Sequence, residues 1–175
     1  PFEVLGKKLS EKNIFDLLKA FEKVHAHNEH TRLEIIGDGI LRNDIELWIK
    51  QHRLTNVVTL HGWQEQVAPF MLNWHAFVLS SLWEGLPCAI VEARLLKLPV
   101  LSYNTGGISD IIVDGQNGLL YKQHDWEKLA TGMLQLTQKK ETYQKLSACK
   151  EDLSDFKNEQ MVAQHVELYR NMSHT

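Results

Sequence analysis

The sequence has 175 residues, the length of one domain. It is 43% apolar with a net charge of -3, so it can pack a core but presents no general basic surface for nucleic acid or anionic lipid, and any phosphate binding has to be local. Its two cysteines, Cys88 and Cys149, form neither a disulfide framework nor a zinc spacing, which fits a reducing compartment; no apolar run approaches the ~18–20 residues of a membrane span, and no signal peptide is visible.

The chain alternates strand and helix with short connections, the pattern of a parallel sheet covered on both faces. Phe2 to Leu5 reads as the first strand. A helix over Ile14 to Val24 carries Ile14, Leu17, Leu18, Phe21 and Val24 at helical period. Leu33 to Ile36 is a strand ending in Gly37-Asp38-Gly39, and Leu41 to His52 a helix with the stripe Leu41, Ile45, Trp48 and Ile49. Val57 to Leu60 is the third strand, followed by His61-Gly62. Gln66 to Trp74 reads as a short helix bent or delayed by Pro69. Ala76 to Leu79 is the fourth strand, Cys88 to Leu96 a helix and Val100 to Tyr103 the fifth strand. A short helix over Ile108 to Val113 and a turn over 114–118 lead to the sixth strand, Gly118 to Tyr121. Helices are expected over Trp126 to Thr137, Glu141 to Cys149 and Glu159 to Tyr169. The expected fold is α/β: a Rossmann-like, doubly wound parallel sheet of six strands in one domain spanning 1–175. The opening Pro1-Phe2-Glu3-Val4-Leu5-Gly6 reads as a strand already under way, so a fragment of a larger protein is expected.

The most informative run is 80–93, where Glu84 and Glu92 flank Gly85, Leu86, Pro87 and an apolar stretch. Pro87 suits the first turn of a helix. Glu84 then lies in the loop at a strand's carboxyl end, where open parallel sheets bind ligands, and Glu92 lies in the following helix. The free N–H groups of Gly85, Leu86 and Cys88 can face an anion there. Carboxylates for hydroxyls beside backbone donors for phosphate suit a nucleotide-activated sugar. By itself the spacing reads equally as a helix cap and a solvated glutamate.

The segment resembles the carboxylate pair, seven residues between, of the group 1 (family 4) glycosyltransferases, which are retaining enzymes of the GT-B fold. Further motifs fall in order. Lys7 and Lys12, after the first strand, match the spacing of the family's arginine and lysine that clamp the donor diphosphate. Lysine at position 7 keeps the charge but loses the planar fork of arginine, and Lys8 could serve if the loop shifts by one. Gly106-Gly107, with Asp110 after them, match the family's paired glycines, and Gly37-Asp38-Gly39 its turn after the second strand. His61-Gly62-Trp63 occupies the loop after the third strand, where family members have backbone contacts near the base; Trp63 could stack on a base or pack on the domain surface. The turn Asp114-Gly115-Gln116-Asn117-Gly118 reads as structural. Ser81 keeps the family serine, whereas Ser80 replaces a common proline, His75 a common aspartate, and Lys97 the glycine that would relieve a left-handed helix end.

The resemblance implies the C-terminal, donor-binding half of a GT-B enzyme that transfers a hexosyl unit from a nucleoside diphosphate sugar, UDP- or GDP-linked, to a glycan or lipid acceptor with retention. Glu84 would face the donor sugar as the catalytic carboxylate. Glu92 would hold the ribose, and Lys7, Lys12, Gly85 and Leu86 the diphosphate, with Gly37, Ser81, Gly106 and Gly107 also in the donor site. No metal is implied: the sequence has no Asp-x-Asp motif, and His25, His27 and His30 fall at a helix end. The acceptor site would belong to a missing N-terminal domain, to which a helix within 157–175 would cross, so the fragment alone is expected to be inactive. Polysaccharide and cell-envelope synthesis in the cytoplasm is the implied setting, with peripheral association at the inner face of the membrane through the missing domain as a variant. Two other classes fit the same residues: a non-catalytic nucleotide- or glycan-binding module, and a nucleotide-sugar epimerase of the same architecture.

Overall fold

A computed structural model describes residues 2–5, 12–85 and 88–149, the first of these spans as backbone only. Strands β1 (Phe2–Leu5), β2 (Leu33–Ile36), β3 (Val58–Gly62), β4 (Ala76–Leu79), β5 (Val100–Tyr103) and β6 (Gly118–Tyr121) form one parallel sheet in the order β3-β2-β1-β4-β5-β6. Helices α1 (Ile14–His27), α2 (Arg42–Gln51), α3 (Ala68–Met71), α4 (Cys88–Leu95), α5 (Trp126–Gln138) and α6 (Lys140–Ala148) connect and cover it. The order runs outward in one direction from β1 and in the other from β4, so the winding reverses between these two strands. That reversal opens the crevice at the carboxyl ends of a doubly wound sheet.

Every residue of β4 and β5 is buried, as expected for central strands covered on both faces. All five stripe residues of α1 are fully buried, and α1 packs between α2 and α5 in one layer. Each such aliphatic or aromatic side chain contributes about 1.5–3 kcal/mol of burial. In α2 the stripe is narrower than its periodicity suggests. Ile45 and Ile49 are buried, while Leu41 and Trp48 stay at the margin, and the Trp48 ring stacks on His52 with centroids 3.7 Å apart.

Four elements depart from the sequence reading, the first being α1, which runs past Val24 to His27. The helix expected over Gln66 to Trp74 shrinks to Ala68–Met71, with Pro69 in its first turn; proline serves where no N–H is needed, and the chain before it turns rather than coils. The short helix expected over Ile108 to Val113 is a 3-10 turn over Gly106–Asp110. Strand β3 runs on to Gly62 because a bulge at Ile35/Ile36 shifts its register, and Gly37 N–H then donates to Gly62 O at 2.8 Å. The expected helix over Glu159 to Tyr169 lies outside the described residues.

Candidate functional site

Glu84 and Lys12 meet across the winding reversal. Glu84 belongs to the loop after β4, and Lys12 to the turn that enters α1 after β1. The Lys12 ammonium donates to Glu84 Oε1 in an ion pair whose side chains are only 16% and 11% exposed. Partial exclusion of water makes such a charge-assisted contact stronger than a surface pair. Both groups sit at the carboxyl end of the sheet.

The loop that carries Glu84 is held from the β5 side. Thr105 Oγ1 and Gln123 Nε2 both donate to Leu82 O, at 2.9 and 2.6 Å. Gly106 has φ +55°, and a Cβ there would stand 1.8 Å from Glu84 O. A Cβ on Gly107 would come within 3.2 Å of Gly85 O. The paired glycines therefore lie directly under the backbone of the glutamate loop. In the sequence the pair reads as a donor-site motif or as a plain strand-to-helix turn, and neither reading carries this packing role. Thr105 and Gln123 carry no functional signal in the sequence, because a bond from position 123 to position 82 has no local signature.

Glu92 lies half-buried on the second turn of α4. Cys88, at the start of that helix, links the two carboxylates electrostatically: burial first, then the negative charge of Glu92 and, more weakly, of Glu84, pushes its thiol pKa up. Cys88 is thus held as a neutral thiol rather than a nucleophile. Ser81 is fully buried, and its Oγ has no hydrogen-bond partner among the described residues. Gly37 adopts φ +139° at the end of β2, two strands from β4 in the sheet order. Trp63 beyond β3 is 53% exposed and Trp83, beside Glu84, is 70% exposed. Lys7, Lys8 and Leu86 lie outside the described residues.

The histidines of the last turn of α1 take separate local partners: His25 Nδ1 lies 3.3 Å from Thr31 Oγ1 and His27 Nδ1 lies 2.8 Å from Lys23 O. No cluster of metal-ligating side chains occurs among the described residues. A cavity of about 790 Å³ opens beside Gly106 at the ends of β5 and β6, with Asn104, Lys122, Gln123 and His124 in its wall. A second, of about 490 Å³, lies between the turn after α1, the start of β4, the end of α5 and α6, near His30 and His75. It is at the amino end of β4, away from the glutamates.

The sequence model of the family described as glycosyl transferases, group 1, matches residues 4–151. An uncharacterised glycosyltransferase of Methanocaldococcus jannaschii is 38% identical over 98 residues, 56% of this chain and 24% of its own. The Escherichia coli UDP-Gal:α-D-GlcNAc-diphosphoundecaprenol α-1,3-galactosyltransferase is 28% identical over 142 residues, 79% of this chain and 37% of its own. This chain therefore spans about a quarter to two fifths of the length of these relatives. Among solved structures, a variant of Staphylococcus aureus TarM in complex with UDP, fondaparinux and α-GlcNAc-glycerol superimposes with a TM-score of 0.79 at 24% identity, over 84% of this chain and 30% of its own.

Proposed function

We propose, from the premise that this chain belongs to the group 1 glycosyltransferases, that it forms the donor half of a retaining hexosyltransferase acting on a nucleoside diphosphate sugar. The observation that carries this reading is the meeting of Lys12 and Glu84 at the point where the sheet reverses its winding. A donor needs a cation for its diphosphate and a carboxylate for its sugar hydroxyls within one sugar's reach of each other, and this pair supplies both. Without donor, each charge neutralises the other. With donor, Lys12 turns to the diphosphate, with Lys7 beside it, and Glu84 is released to the hexose. Glu92 accepts hydrogen bonds from the ribose hydroxyls, and the start of α4 adds backbone donors through Gly85 and Leu86.

In the reaction the bond from the anomeric carbon to the β-phosphate oxygen breaks, and the oxygen of an acceptor hydroxyl bonds to that carbon on the same face. The acceptor proton passes to the leaving phosphate oxygen. Negative charge grows on the diphosphate as the bond breaks, and a fixed ammonium aimed at it lowers the barrier. Lysines and helix ends do here the charge work that a metal does in other transferases. UDP is the first base to test, since the galactosyltransferase relative is named for a UDP sugar and the TarM structure contains UDP. The acceptor, a glycan or a lipid-linked sugar, is held by the rest of the protein.

Calorimetric titration of the chain with UDP, GDP and ADP, with and without magnesium, tests the reading. One nucleotide should bind without metal, and Glu92→Ala should weaken it by roughly 1–3 kcal/mol, the scale of charge-assisted hydrogen bonds. Binding that needs magnesium, or that ignores Glu92→Ala, would sink the assignment.

A further inference from the structure

Strand β4 ends at Leu79, and the next residue, Ser80, is fully buried. Its hydroxyl faces the turn that enters α1. Ser80 Oγ donates to Lys12 O at 2.7 Å, and Asn13 O lies farther off at 3.2 Å. A serine hydroxyl has one proton to give, so the shorter contact takes it. The residue carrying the proposed diphosphate cation is thereby tied through its own carbonyl to the strand from which Glu84 emerges.

The turn itself needs holding. Asn13 has φ +46°, a left-handed conformation that non-glycine residues adopt at a cost, asparagine least among them. Two bonds fix it from the α1 side, and a third braces their partner Asp16 from β5. Asp16 N–H donates to Asn13 O at 3.1 Å, and Asn13 Nδ2 donates to Asp16 Oδ2 at 2.6 Å. The Tyr103 hydroxyl, reaching from β5, donates to the same carboxylate oxygen at 3.0 Å. Asp16 thus anchors Asn13 to α1 and β5, and Ser80 anchors Lys12 to β4. Among these contacts, only Ser80 joins the lysine's own backbone directly to the glutamate's strand. A proline at position 80, common in the resembling family, has no side-chain donor and could not make this tie.

We propose that Ser80 is a positioning residue: its hydroxyl sets the backbone of Lys12 so that the ammonium stands over the donor diphosphate and within reach of Glu84. The proposal rests on the reading of Lys12 as the diphosphate cation. Ser80 itself is fully buried, and on this proposal its influence on binding runs through Lys12.

A double-mutant cycle read by calorimetry with UDP, GDP and ADP separates this from a merely structural role. Ser80→Ala should weaken nucleotide affinity roughly 3- to 10-fold, the value of one neutral hydrogen bond. Ser80→Thr, which keeps the hydroxyl, should restore it to within about twofold. In a Lys12→Met background the Ser80→Ala step should shrink to less than about twofold, because the group it positions is gone. If the two losses multiply independently, or if Ser80→Ala lowers only the melting temperature, the proposal is wrong. If Lys12→Met itself leaves affinity intact, the diphosphate reading of Lys12 fails first, and the positioning role with it. Should Ser80→Ala not fold, Ser80→Cys replaces the strong donor with a weak one at nearly the same volume, and the same cycle applies.

Discussion

Gly106 concentrates the demands of the site in one residue. Its φ of +55° is left-handed, and the space where a side chain would start is taken by the carbonyl of Glu84. An alanine there faces a conformational cost of about 1–3 kcal/mol and a contact that only a shift of the glutamate loop can relieve. Gly106→Ala should therefore lower the melting temperature and also weaken nucleotide binding, since Glu84 moves with its backbone. The check is thermal unfolding beside the same nucleotide titration. A variant that loses stability but binds normally would show that the loop does not need this contact to hold Glu84. The packing role is invisible in Gly-Gly as a motif, because the motif says that a side chain is absent and not what has taken its place.

At the scale of elements, α4 ends as its sequence suggests. Lys97 has φ +59°, with its N–H donating to Arg94 O at 2.9 Å and Leu98 N–H to Ala93 O at 3.0 Å, the paired bonds of a Schellman ending with lysine in the glycine position. The same ending closes α2, where Arg53 has φ +58° and Leu54 N–H donates to Ile49 O at 2.9 Å. Lys97→Gly should raise stability by about 1 kcal/mol by removing left-handed strain, measured as an upward shift in the urea midpoint; no shift would mean that the lysine is unstrained there. Helix α5 opens on a side-chain cap: Asp125 Oδ1 accepts from Lys128 N–H at 3.1 Å, and Oδ2 lies 3.1 Å from the Lys128 ammonium. The Lys128 side chain first, then its N–H, holds the Asp125 carboxyl below its usual pKa. A depressed carboxyl stabilises the fold above its unfolded value and loses that contribution as pH falls through the lower folded value. Asp125→Asn keeps a capping oxygen but cannot titrate. Wild type should be the more stable at neutral pH, and the two melting temperatures should converge as pH falls below the unfolded carboxyl value of about 3.9 and on through the lower folded value. A constant gap across that range would rule out the charged cap.

For the whole molecule, the relevant fact is that this chain covers 24% and 37% of the two relatives compared. The proposed function puts donor recognition in this chain and acceptor recognition in a further domain. The chain alone should bind nucleotide and show no hexosyl transfer, and robust turnover by these 175 residues in a transfer assay would overturn that division. Much of the architecture is legible in local pattern. Strands β4, β5 and β6 have the bounds that their apolar runs suggest, and the stripe of α1 is buried residue for residue, because period and burial are properties of consecutive residues. The short elements around Pro69 and Gly106 are less legible, since one turn of helix carries too few residues to show a period. Glu84 at a strand's carboxyl end and Glu92 in the next helix also followed from the sequence by itself. What only the tertiary structure decided is what stands opposite them. The pairing of β1 with β4 brings Lys12 to Glu84 across 72 residues and sets the hydroxyl of Ser80 on the Lys12 carbonyl, and the pairing of β4 with β5 presses Gly106 against the Glu84 backbone. Those contacts follow from strand order, and strand order is fixed by how whole faces pack against one another, which no local pattern encodes.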